Sequence, residues 1–305
     1  MLFVFRNFSR GKWLASAEIS EVPQATKIDI KVPRPWKIKA GQYIYLTIPA
    51  AGFTSAIQSH PFMIAWWVRN GDGLTISLLV KTCRGFTTQL SGLAKRPLTA
   101  FIDGPYGIEH KLGEFGTVIM FATGIGIAAH MPYIKDLVSG YNSCEVRTHR
   151  ILLVWQLEME SHQQWVKDWM DEVIEMDTGR ILEIELYVLK RSNPVQLEDM
   201  DNTLMKHNLT DPKIVLYGTH QKIHKIFAPA NVRSILNGEM ITRKGSLVVS
   251  VCANKVMSMN IRNTIQQGMD EHMRFIELEF QPSLHSNTTS AVSDDSMDFA
   301  CAGIA

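Results

Sequence analysis

Two glycines separated by a single residue, Gly124 and Gly126, directly follow a short apolar run at residues 118–122. The run lacks polar alternation, which predicts a strand buried on both faces, as in a parallel sheet covered by helices. Pro132 downstream suits the first turn of a helix. A strand, a glycine turn and a helix start together direct backbone N–H groups towards a phosphate. The pattern indicates a nucleotide site, and an ordinary strand-to-helix turn with two glycines is the alternative.

Other residue types that carry chemistry show no catalytic or metal-binding spacing. The sequence has four cysteines, and no two of them are close in the chain, which leaves zinc and iron–sulfur centres without support. Scattered cysteines in a chain of this length favour a reducing compartment over a disulfide framework. No catalytic triad or carboxylate pair is evident in the sequence, and no metal site is predicted. The cysteines are Cys83, Cys144, Cys252 and Cys301.

Length and charge describe a globular chain with room for two domains. It has 305 residues, of which 46% are hydrophobic and 20% charged, and a domain takes about 150 residues. The net charge is +1 and no basic run alternates with aromatic residues, so nucleic acid is not expected as a partner. No apolar run approaches the ~20 residues of a membrane helix, and we expect this chain in the cytoplasm. The apolar start at residues 1–5, followed by Arg6, fits either the end of a membrane helix or a first strand.

The first third of the chain favours antiparallel β-structure. Six short runs of strand-forming residues are separated by turn residues rather than by helices, which predicts a small closed barrel or a sandwich. The segment from Asn70 to Gly73 is a strong hairpin signal. The predicted strands are 14–19, 26–32, 42–48, 62–68, 74–81 and 98–103.

From residue 116 onwards, strands and helices alternate along the chain. Alternation predicts an open parallel sheet with helices on both faces, and such sheets bind ligands at the carboxyl ends of their strands. Gly124, Gln156, Gly218 and Cys252 stand at those predicted ends. The predicted strands are 118–122, 151–155, 181–189, 214–217, 247–252 and 275–280, and the predicted helices are 162–176, part of 222–237, and 255–267.

Five short motifs follow one another along the chain, at residues 41–46, 58–64, 81–90, 103–107 and 123–128. Their order resembles the FAD- and NAD(P)H-binding portion of the fungal ferric-chelate reductase and NADPH oxidase family, which is of the ferredoxin-reductase type. The resemblance covers about residues 10–282 and implies a six-stranded antiparallel FAD-binding β barrel followed by a Rossmann-like parallel-sheet NAD(P)H-binding α/β domain. The implied bounds are 1–110 and 111–284, and the Ser- and Asp-rich tail at 285–305 is expected to be disordered.

The resemblance implies that the barrel binds FAD through three short segments. The first would line the isoalloxazine ring, the second would contact the diphosphate, and the third would close the barrel at the domain junction. Met63 stands where the family has a hydroxyl residue, so a backbone N–H would have to serve the flavin there. A strand start, a capped helix turn and a simple turn are the ordinary structural alternatives. The segments are His60, Pro61, Phe62 and Met63; Arg84, Gly85, Thr87 and Thr88; and Gly104 and Pro105.

Thr123, Gly124, Gly126 and Ile127 match the pyrophosphate loop of the family's NAD(P)H site. The glycines would permit close approach of the backbone, and the helix start would favour the negative charge of the phosphates. The residues leave the choice between NADH and NADPH open. Glu158, after the next predicted strand, would repel a ribose phosphate, whereas the resemblance implies NADPH.

Two residues in the last fifth of the chain are expected at the reaction centre because of the resemblance. Cys252 would lie beside the nicotinamide at a strand end, and Phe280 would correspond to an aromatic residue that screens the flavin. A buried strand cysteine and a core phenylalanine are the alternatives. Ala253 and Asn254 replace the Gly-Pro of the family, so the turn after Cys252 is expected to differ.

The resemblance implies a flavin-dependent oxidoreductase that passes electrons from NAD(P)H through FAD to a one-electron acceptor, most closely a ferric-chelate reductase. Hydride transfer from nicotinamide to flavin depends on stacking and orientation and requires no strong acid or base. The expected acceptor is a ferric chelate or a haem protein. The family's membrane haem domain is lacking from this sequence, which allows a separate membrane haem partner. The family counterpart of this chain sits on the cytosolic face of the plasma membrane.

Three other functions stay open on these residues. The first is an NADPH oxidase-type reductase that produces superoxide. The second is a nucleotide-binding subunit with weak turnover that docks on a membrane haem partner, which the departures at Met63, Ala253 and Asn254 favour. The third is an NAD-dependent dehydrogenase without flavin, which leaves the motif at 58–64 unexplained.

Overall fold

The computed structural model describes residues 7–8, 14–51, 58–71, 73–82, 86–93, 97–190, 214–217, 223–268 and 273–279. Two seven-stranded sheets organise this part of the chain, one antiparallel and the other mainly parallel. Of the helices within these ranges, none is long and apolar enough to span a membrane.

The antiparallel sheet contains the strands β1 (Ala15–Val22), β2 (Ala25–Val32), β3 (Tyr43–Thr47), β4 (His60–Met63), β5 (Trp66–Asn70), β6 (Gly73–Lys81) and β7 (Leu98–Tyr106), with helix α1 (Phe86–Ser91) between the last two. Their order across the sheet is β4-β3-β7-β1-β2-β6-β5. Alternate residues of the strands point inwards, and branched side chains such as Ile28, Ile44 and Ile76 fill the interior. Burial of each such side chain contributes about 1.5–3 kcal/mol. Asn70 pairs with Gly73, as the hairpin signal predicts.

The predicted strand at 62–68 is two strands, because Ile64 and Ala65 interrupt it. Both residues are buried, which breaks the alternation of inward and outward side chains. The Ile64 N–H donates to the Gln42 carbonyl at 3.0 Å, and the Ala65 N–H donates to the Ser77 carbonyl of β6 at 2.9 Å. The first bond extends the β3–β4 pairing and the second extends the β5–β6 pairing, so the peptide bond between Ile64 and Ala65 connects the two ends of the sheet. Division of the segment at 62–68 gives seven strands where six were expected.

The second sheet contains the strands β8 (Thr117–Thr123), β9 (Arg150–Met159), β10 (Leu182–Lys190), β11 (Ile214–Tyr217), β12 (Ile223–Ile226), β13 (Leu247–Cys252) and β14 (Met273–Glu277). The helices of this half are α2 (Ile127–Asn142), α3 (Lys167–Met176), α4 (Val232–Thr242) and α5 (Lys255–Gly268). The strand order is β11-β12-β10-β9-β8-β13-β14, and every neighbouring pair is parallel except β11 with β12. All residues of β8 and β13 are buried, as expected of central strands covered on both faces.

The segment at 222–237 was expected to be partly helical, and its second part is helical, from Val232 onwards. Residues 223–226 form the strand β12, which pairs in parallel with β10. Helix α4 begins only at Val232, where the Asn231 side chain accepts a hydrogen bond from the Ser234 N–H at 3.1 Å. Pro229 lies between strand and helix, where its missing N–H costs no helical hydrogen bond.

The short strand β11 runs antiparallel to its neighbour, which changes one expectation about the ligand edge. Tyr217 pairs with Ile223, the first residue of β12, so the end of β11 lies at the amino edge of the sheet. The expectation that the strand at 214–217 ends at the carboxyl edge is therefore wrong. Gly218 itself lies outside the described residues.

Two helix starts also differ from the sequence-based expectation. The predicted helix at 162–176 is divided into a 3₁₀ turn, Glu160–Trp165, and helix α3, because Val166 has non-helical backbone angles. Helix α2 begins at Ile127, so Pro132 lies in its second turn rather than its first. Its ring therefore removes one backbone hydrogen bond from the interior of α2.

The barrel and the parallel-sheet half are joined by an alternating stack of side chains, which we call the interdomain stack. Lys135 Nζ of α2 lies 3.9 Å from the centre of the Trp66 ring of the barrel. Trp66 stacks on Trp169 of α3 with ring centres 5.9 Å apart and an interplanar angle of 9°. Lys27 Nζ of the barrel lies 4.6 Å from the Trp169 ring. Each half therefore inserts a cation over an aromatic ring of the other.

Hydrogen bonds fix the polar ends of the interdomain stack. Glu172 accepts from Lys135 Nζ at 2.9 Å and from Trp66 Nε1 at 3.2 Å. The ammonium of Lys135 also donates to the carbonyl of Trp67 at 2.8 Å. A second contact between the halves lies nearby, where Trp165 Nε1 donates to the Pro23 carbonyl at 2.6 Å. These directional contacts hold the two sheets in one relative orientation.

Candidate nucleotide and flavin site

The turn after β8 has the form that a bound phosphate requires. Gly124 adopts a φ of 50°, in the left-handed region that glycine enters most easily. A Cβ placed on Gly124 would meet no described atom within 4 Å, so the backbone is open to an approaching group. The Trp155 Nε1 donates to the Gly124 carbonyl at 2.8 Å and anchors the turn from the neighbouring strand β9. Helix α2 begins three residues later at Ile127, which is itself buried.

Gly126 is a glycine for a different reason. A Cβ at this position would lie 2.1 Å from the backbone carbonyl oxygen of Cys252, a distance that no real contact tolerates. Gly126 therefore allows the turn to pack against the end of β13. Thr123 strengthens the same junction, because its Oγ1 accepts a hydrogen bond from the Asn254 N–H at 2.7 Å. The two glycines therefore have different roles: Gly124 leaves its backbone open, and Gly126 permits close packing against the end of β13.

Cys252 ends β13 beside the glycine turn and is buried. Burial raises the pKa of the Cys252 thiol to about 12, and the negative charges of Glu277 and Glu279 act in the same direction. The thiol is therefore protonated at neutral pH and is a poor nucleophile. Cys252 therefore presents a small, uncharged side chain at the end of β13.

The turn after Cys252 is built around an asparagine rather than a proline. Asn254 Oδ1 accepts a hydrogen bond from the Met257 N–H at 2.9 Å, which is the contact of an N-cap residue at the start of α5. Ser258 Oγ donates to the Ala253 carbonyl at 3.1 Å and holds the same turn. Ala253 and Asn254 therefore keep the turn ordered where the family motif has Gly-Pro.

Three tyrosines form a continuous aromatic face on the outside of the barrel, which we call the tyrosine face. The ring centres of Tyr43 and Tyr45 lie 5.9 Å apart, and each lies 5.7 Å from that of Tyr106. Tyr43 and Tyr45 point outwards because the alternate residues Ile44 and Leu46 fill the barrel core. The sequence motifs contained these tyrosines, but sequence reasoning did not assign them to the site. The alternation of aromatic and aliphatic residues at 43–46 was the available signal.

The predicted flavin strand contributes alternate residues to this face. Pro61 pairs with Tyr45 and Met63 pairs with Tyr43, so both lie on the outward side of the sheet. His60 and Phe62 pair with the inward-pointing residues and turn towards the core, where Phe62 is buried. Burial lowers the pKa of the His60 imidazole, which favours its neutral form.

The charge of Glu279 affects one residue of the tyrosine face and one residue at the end of β13. Burial, the neighbouring Tyr45 and the charge of Glu279 raise the pKa of Tyr43, and Glu279 also raises the pKa of Cys252. The Leu278 N–H donates to the Val251 carbonyl at 2.8 Å and holds this segment against β13. This segment therefore lies directly beside the end of β13.

Four of the other predicted site residues lie in the described part of the chain, and three lie outside it. Gly104 and Pro105 lie in β7 next to Tyr106 of the tyrosine face. Thr87 is half-buried and Thr88 is exposed, and both lie in the short helix α1. Arg84, Gly85 and Phe280 lie outside the described residues.

The segment expected to select between NADH and NADPH is part of a strand. Strand β9 continues to Met159, beyond the predicted end at 155, because residues 156–159 extend the pairing with β10. Gln156 Oε1 accepts a hydrogen bond from the Ala230 N–H at 3.0 Å. Glu158 pairs with Lys190 Nζ at 3.1 Å on the surface. Both side chains are largely exposed, so this pair contributes little to stability.

Comparison with known proteins identifies both halves of the chain. One family model, described as an FAD-binding domain, matches residues 14–110, and another, described as a ferric reductase NAD binding domain, matches residues 115–266. Dual oxidase 1 of Canis lupus familiaris is 26% identical over 183 residues, which are 56% of this chain and 11% of the oxidase. A probable cell surface ferric reductase of Aspergillus oryzae is 27% identical over 165 residues, which are 49% of this chain and 21% of that protein. The chain thus spans a small part of these relatives.

A solved structure supports the fold. The cytochrome P450 reductase of Amycolatopsis aligns with a TM-score of 0.55 at 14% identity, over 88% of this chain and 70% of the reductase. The residues present also fit the two cofactors. The open backbone at Gly124 admits a phosphate, and the tyrosine face offers aromatic rings for contact with a flavin. The chain binds FAD and NAD(P)H, and it belongs to the ferric reductase and NADPH oxidase family, of which it carries the ferredoxin-reductase-type portion.

Proposed function

We propose that this chain passes electrons from NAD(P)H through FAD to a one-electron acceptor, and that a ferric chelate is this acceptor. The observation that supports electron transfer is the open glycine turn beside Cys252 in one half of the chain, together with the tyrosine face on the other half. In this proposal a nicotinamide bound at the turn would meet a flavin bound on the barrel. The ferric reductase description of the matched NAD-binding model and the Aspergillus relative favour ferric iron as the acceptor.

In this proposal the residues of the chain bind and orient the two cofactors, and no residue has to transfer a proton. FAD, when bound, accepts a hydride from the nicotinamide and releases electrons singly. The glycine turn at Gly124 would bind the pyrophosphate, with the start of α2 favouring its charge. Cys252, protonated because burial raises its pKa to about 12, would exclude water from the strand end without reacting. Arg84 and Gly85 would contact the FAD diphosphate, and Phe280 would screen the flavin.

The relatives support a proposal for the physiological setting. The Aspergillus protein is named a cell surface reductase, and the chain matches 21% of it. We place the chain at the cytosolic face of a membrane, where a membrane haem protein would pass electrons onwards. Oxygen is a second candidate acceptor, because the dual oxidases match 56% of the chain, a larger share than the ferric reductase does.

The acceptor is tested with the purified chain, FAD and either NADPH or NADH. Under anaerobic conditions, ferric EDTA is supplied together with a chromogenic ligand for ferrous iron. We expect ferrous iron to form at a rate that depends on both cofactors. Flavin reduction without ferrous iron would refute the ferric assignment, and superoxide production in air, detected as dismutase-sensitive reduction of cytochrome c, would favour the oxygen alternative.

A further inference from the structure

Three side chains with metal-binding groups converge at the amino edge of the parallel sheet, at the opposite end of its strands from the glycine turn. Glu183 and Glu185 are two residues apart on β10, so their side chains lie on one face of the sheet. His224 of β12 is the register partner of Glu185. One ligand atom from each residue lies within 4.8 Å of the other two. The backbone pairing of two strands therefore brings the three groups together.

Neighbouring donors orient the two carboxylates. Arg150 Nη2 donates to Glu183 Oε2 at 3.0 Å, and the other oxygen, Oε1, lies 3.8 Å from His224 Nδ1. The Tyr187 hydroxyl donates to Glu185 Oε2 at 3.0 Å. Each carboxylate is thus fixed through one oxygen and keeps its second oxygen for another bond. Support of this kind around ligating side chains is typical of metal sites.

The charge balance at this edge favours a cation. The guanidinium of Arg150 is already matched by Glu239, with Nε to Oε2 and Nη2 to Oε1 both 2.6 Å. Glu183 and Glu185 bring the number of carboxylates here to three, against the single guanidinium of Arg150. This excess of negative charge favours a bound cation.

The site is accessible and has the right donor set for a transition metal. Glu183 and His224 line a solvent-open cavity of about 570 Å³, which gives an ion an entry path and room for a water ligand. Bonds of about 2.1 Å in tetrahedral geometry place ligand atoms roughly 3.4 Å apart. The 3.8 Å between Glu183 Oε1 and His224 Nδ1 therefore needs a small contraction, and the Glu185 oxygen, which lies within 4.8 Å of the other two ligand atoms, needs a rotation of its side chain towards them. One imidazole and two carboxylates suit Zn²⁺-type ions better than Ca²⁺ or Mg²⁺, which prefer oxygen ligands alone.

We propose that Glu183, Glu185 and His224 bind a divalent first-row transition ion of the Zn²⁺ type, with water completing the coordination. The ion links β10 to β12 and so stabilises the position of β12, the strand that precedes α4. It lies at the edge of the sheet opposite the nucleotide turn, so its role is to stabilise this edge and not to transfer electrons. The proposal does not depend on the function proposed above.

The test uses the full chain, loaded with FAD and freed of metal by a chelator that is then removed. Zn²⁺ is titrated by calorimetry, and thermal unfolding is followed with and without Zn²⁺. We expect one saturable equivalent and a higher melting temperature with the ion. Co²⁺ should give visible absorption bands without thiolate charge transfer, because no cysteine belongs to the site.

Variants decide where the ion binds. Glu185→Gln and His224→Gln should each weaken Zn²⁺ binding at least 10-fold, the lower end of the effect seen at such sites. Glu175→Gln is the matched control, because Glu175 lines the same cavity but is not one of the three ligands. FAD content and circular dichroism show that each variant is folded. Absence of saturable binding to the native chain, or binding that persists unchanged in both ligand variants, would overturn the proposal.

Discussion

The interdomain stack makes a quantitative prediction at Lys135. Its ammonium contacts the Trp66 ring, the Trp67 carbonyl and Glu172, and its side chain is only 13% exposed. Lys135→Met keeps an unbranched apolar chain of similar length and removes only the charge and its hydrogen bonds. The substitution therefore tests the polar half of the stack without opening a cavity.

The expected loss of stability follows from three contacts. The cation–π contact with Trp66 is worth about 1–2 kcal/mol when it is largely desolvated. The charge-assisted hydrogen bond to the Trp67 carbonyl contributes roughly 1.5–3 kcal/mol. The ion pair adds at most about 1 kcal/mol, because Glu172 is 42% exposed. Since methionine avoids the cost of burying an ammonium, we expect a net loss of about 2–3 kcal/mol.

The assay is urea unfolding followed by far-ultraviolet circular dichroism, because the fluorescence of Trp66 and Trp169 would itself change. The matched control is Lys167→Met, which removes the surface pair with Asp171 and should cost less than about 0.5 kcal/mol. Lys135→Met should also slow flavin reduction severalfold, because the stack sets the orientation of the two halves. Equal effects of the two substitutions would refute our account of the interdomain stack.

Two further predictions concern Asp136 and Trp155. Burial raises the pKa of Asp136 to about 6 from 3.8, so its stabilising contribution is complete below pH ~4 and is lost as the pH rises through 6. The free energy of unfolding of Asp136→Asn minus that of the native chain should therefore be larger at pH 8 than at pH 4, as measured by urea unfolding. An equal difference at the two pH values would contradict the role given to burial. Trp155→Phe removes the hydrogen bond to the Gly124 carbonyl, worth about 1 kcal/mol, and should raise KM for NAD(P)H about fivefold with FAD content unchanged. An unchanged KM would show that Trp155 does not position the turn.

The order of the elements and the two cofactor-binding halves could be predicted from the sequence. Buried central strands such as β8 are recognised in the sequence as unbroken apolar runs, and the glycines at 124 and 126 directly follow this one. Strand β12 could not be predicted, because its four residues include His224 and Lys225 and show no clear period. Only its pairing with β10 makes it a strand.

Contacts between distant residues were the other part that sequence reasoning missed. The partner of Trp66 is Trp169, more than a hundred positions away, and no local pattern connects them. The distinct roles of Gly124 and Gly126 were equally hidden, because only the packing against Cys252 separates them. The tyrosine face was visible in principle as alternation at 43–46, yet isolated tyrosines in a strand are ordinarily surface or core residues.

The central claim is that NAD(P)H bound at the glycine turn reduces FAD bound on the barrel of the same chain. Anaerobic stopped-flow mixing with NADPH or NADH, followed by the loss of flavin absorbance, tests it most directly. The informative variant is Gly124→Asn, since asparagine tolerates the left-handed backbone while its side chain fills the open space. Gly71→Asn is the matched control, with a φ of 55° and equally open surroundings in the β5–β6 hairpin.

We predict rapid bleaching in the native chain and in Gly71→Asn, and at least a 10-fold loss of nucleotide affinity in Gly124→Asn with FAD still bound. A native chain that binds FAD but is not bleached by either nucleotide would contradict the account.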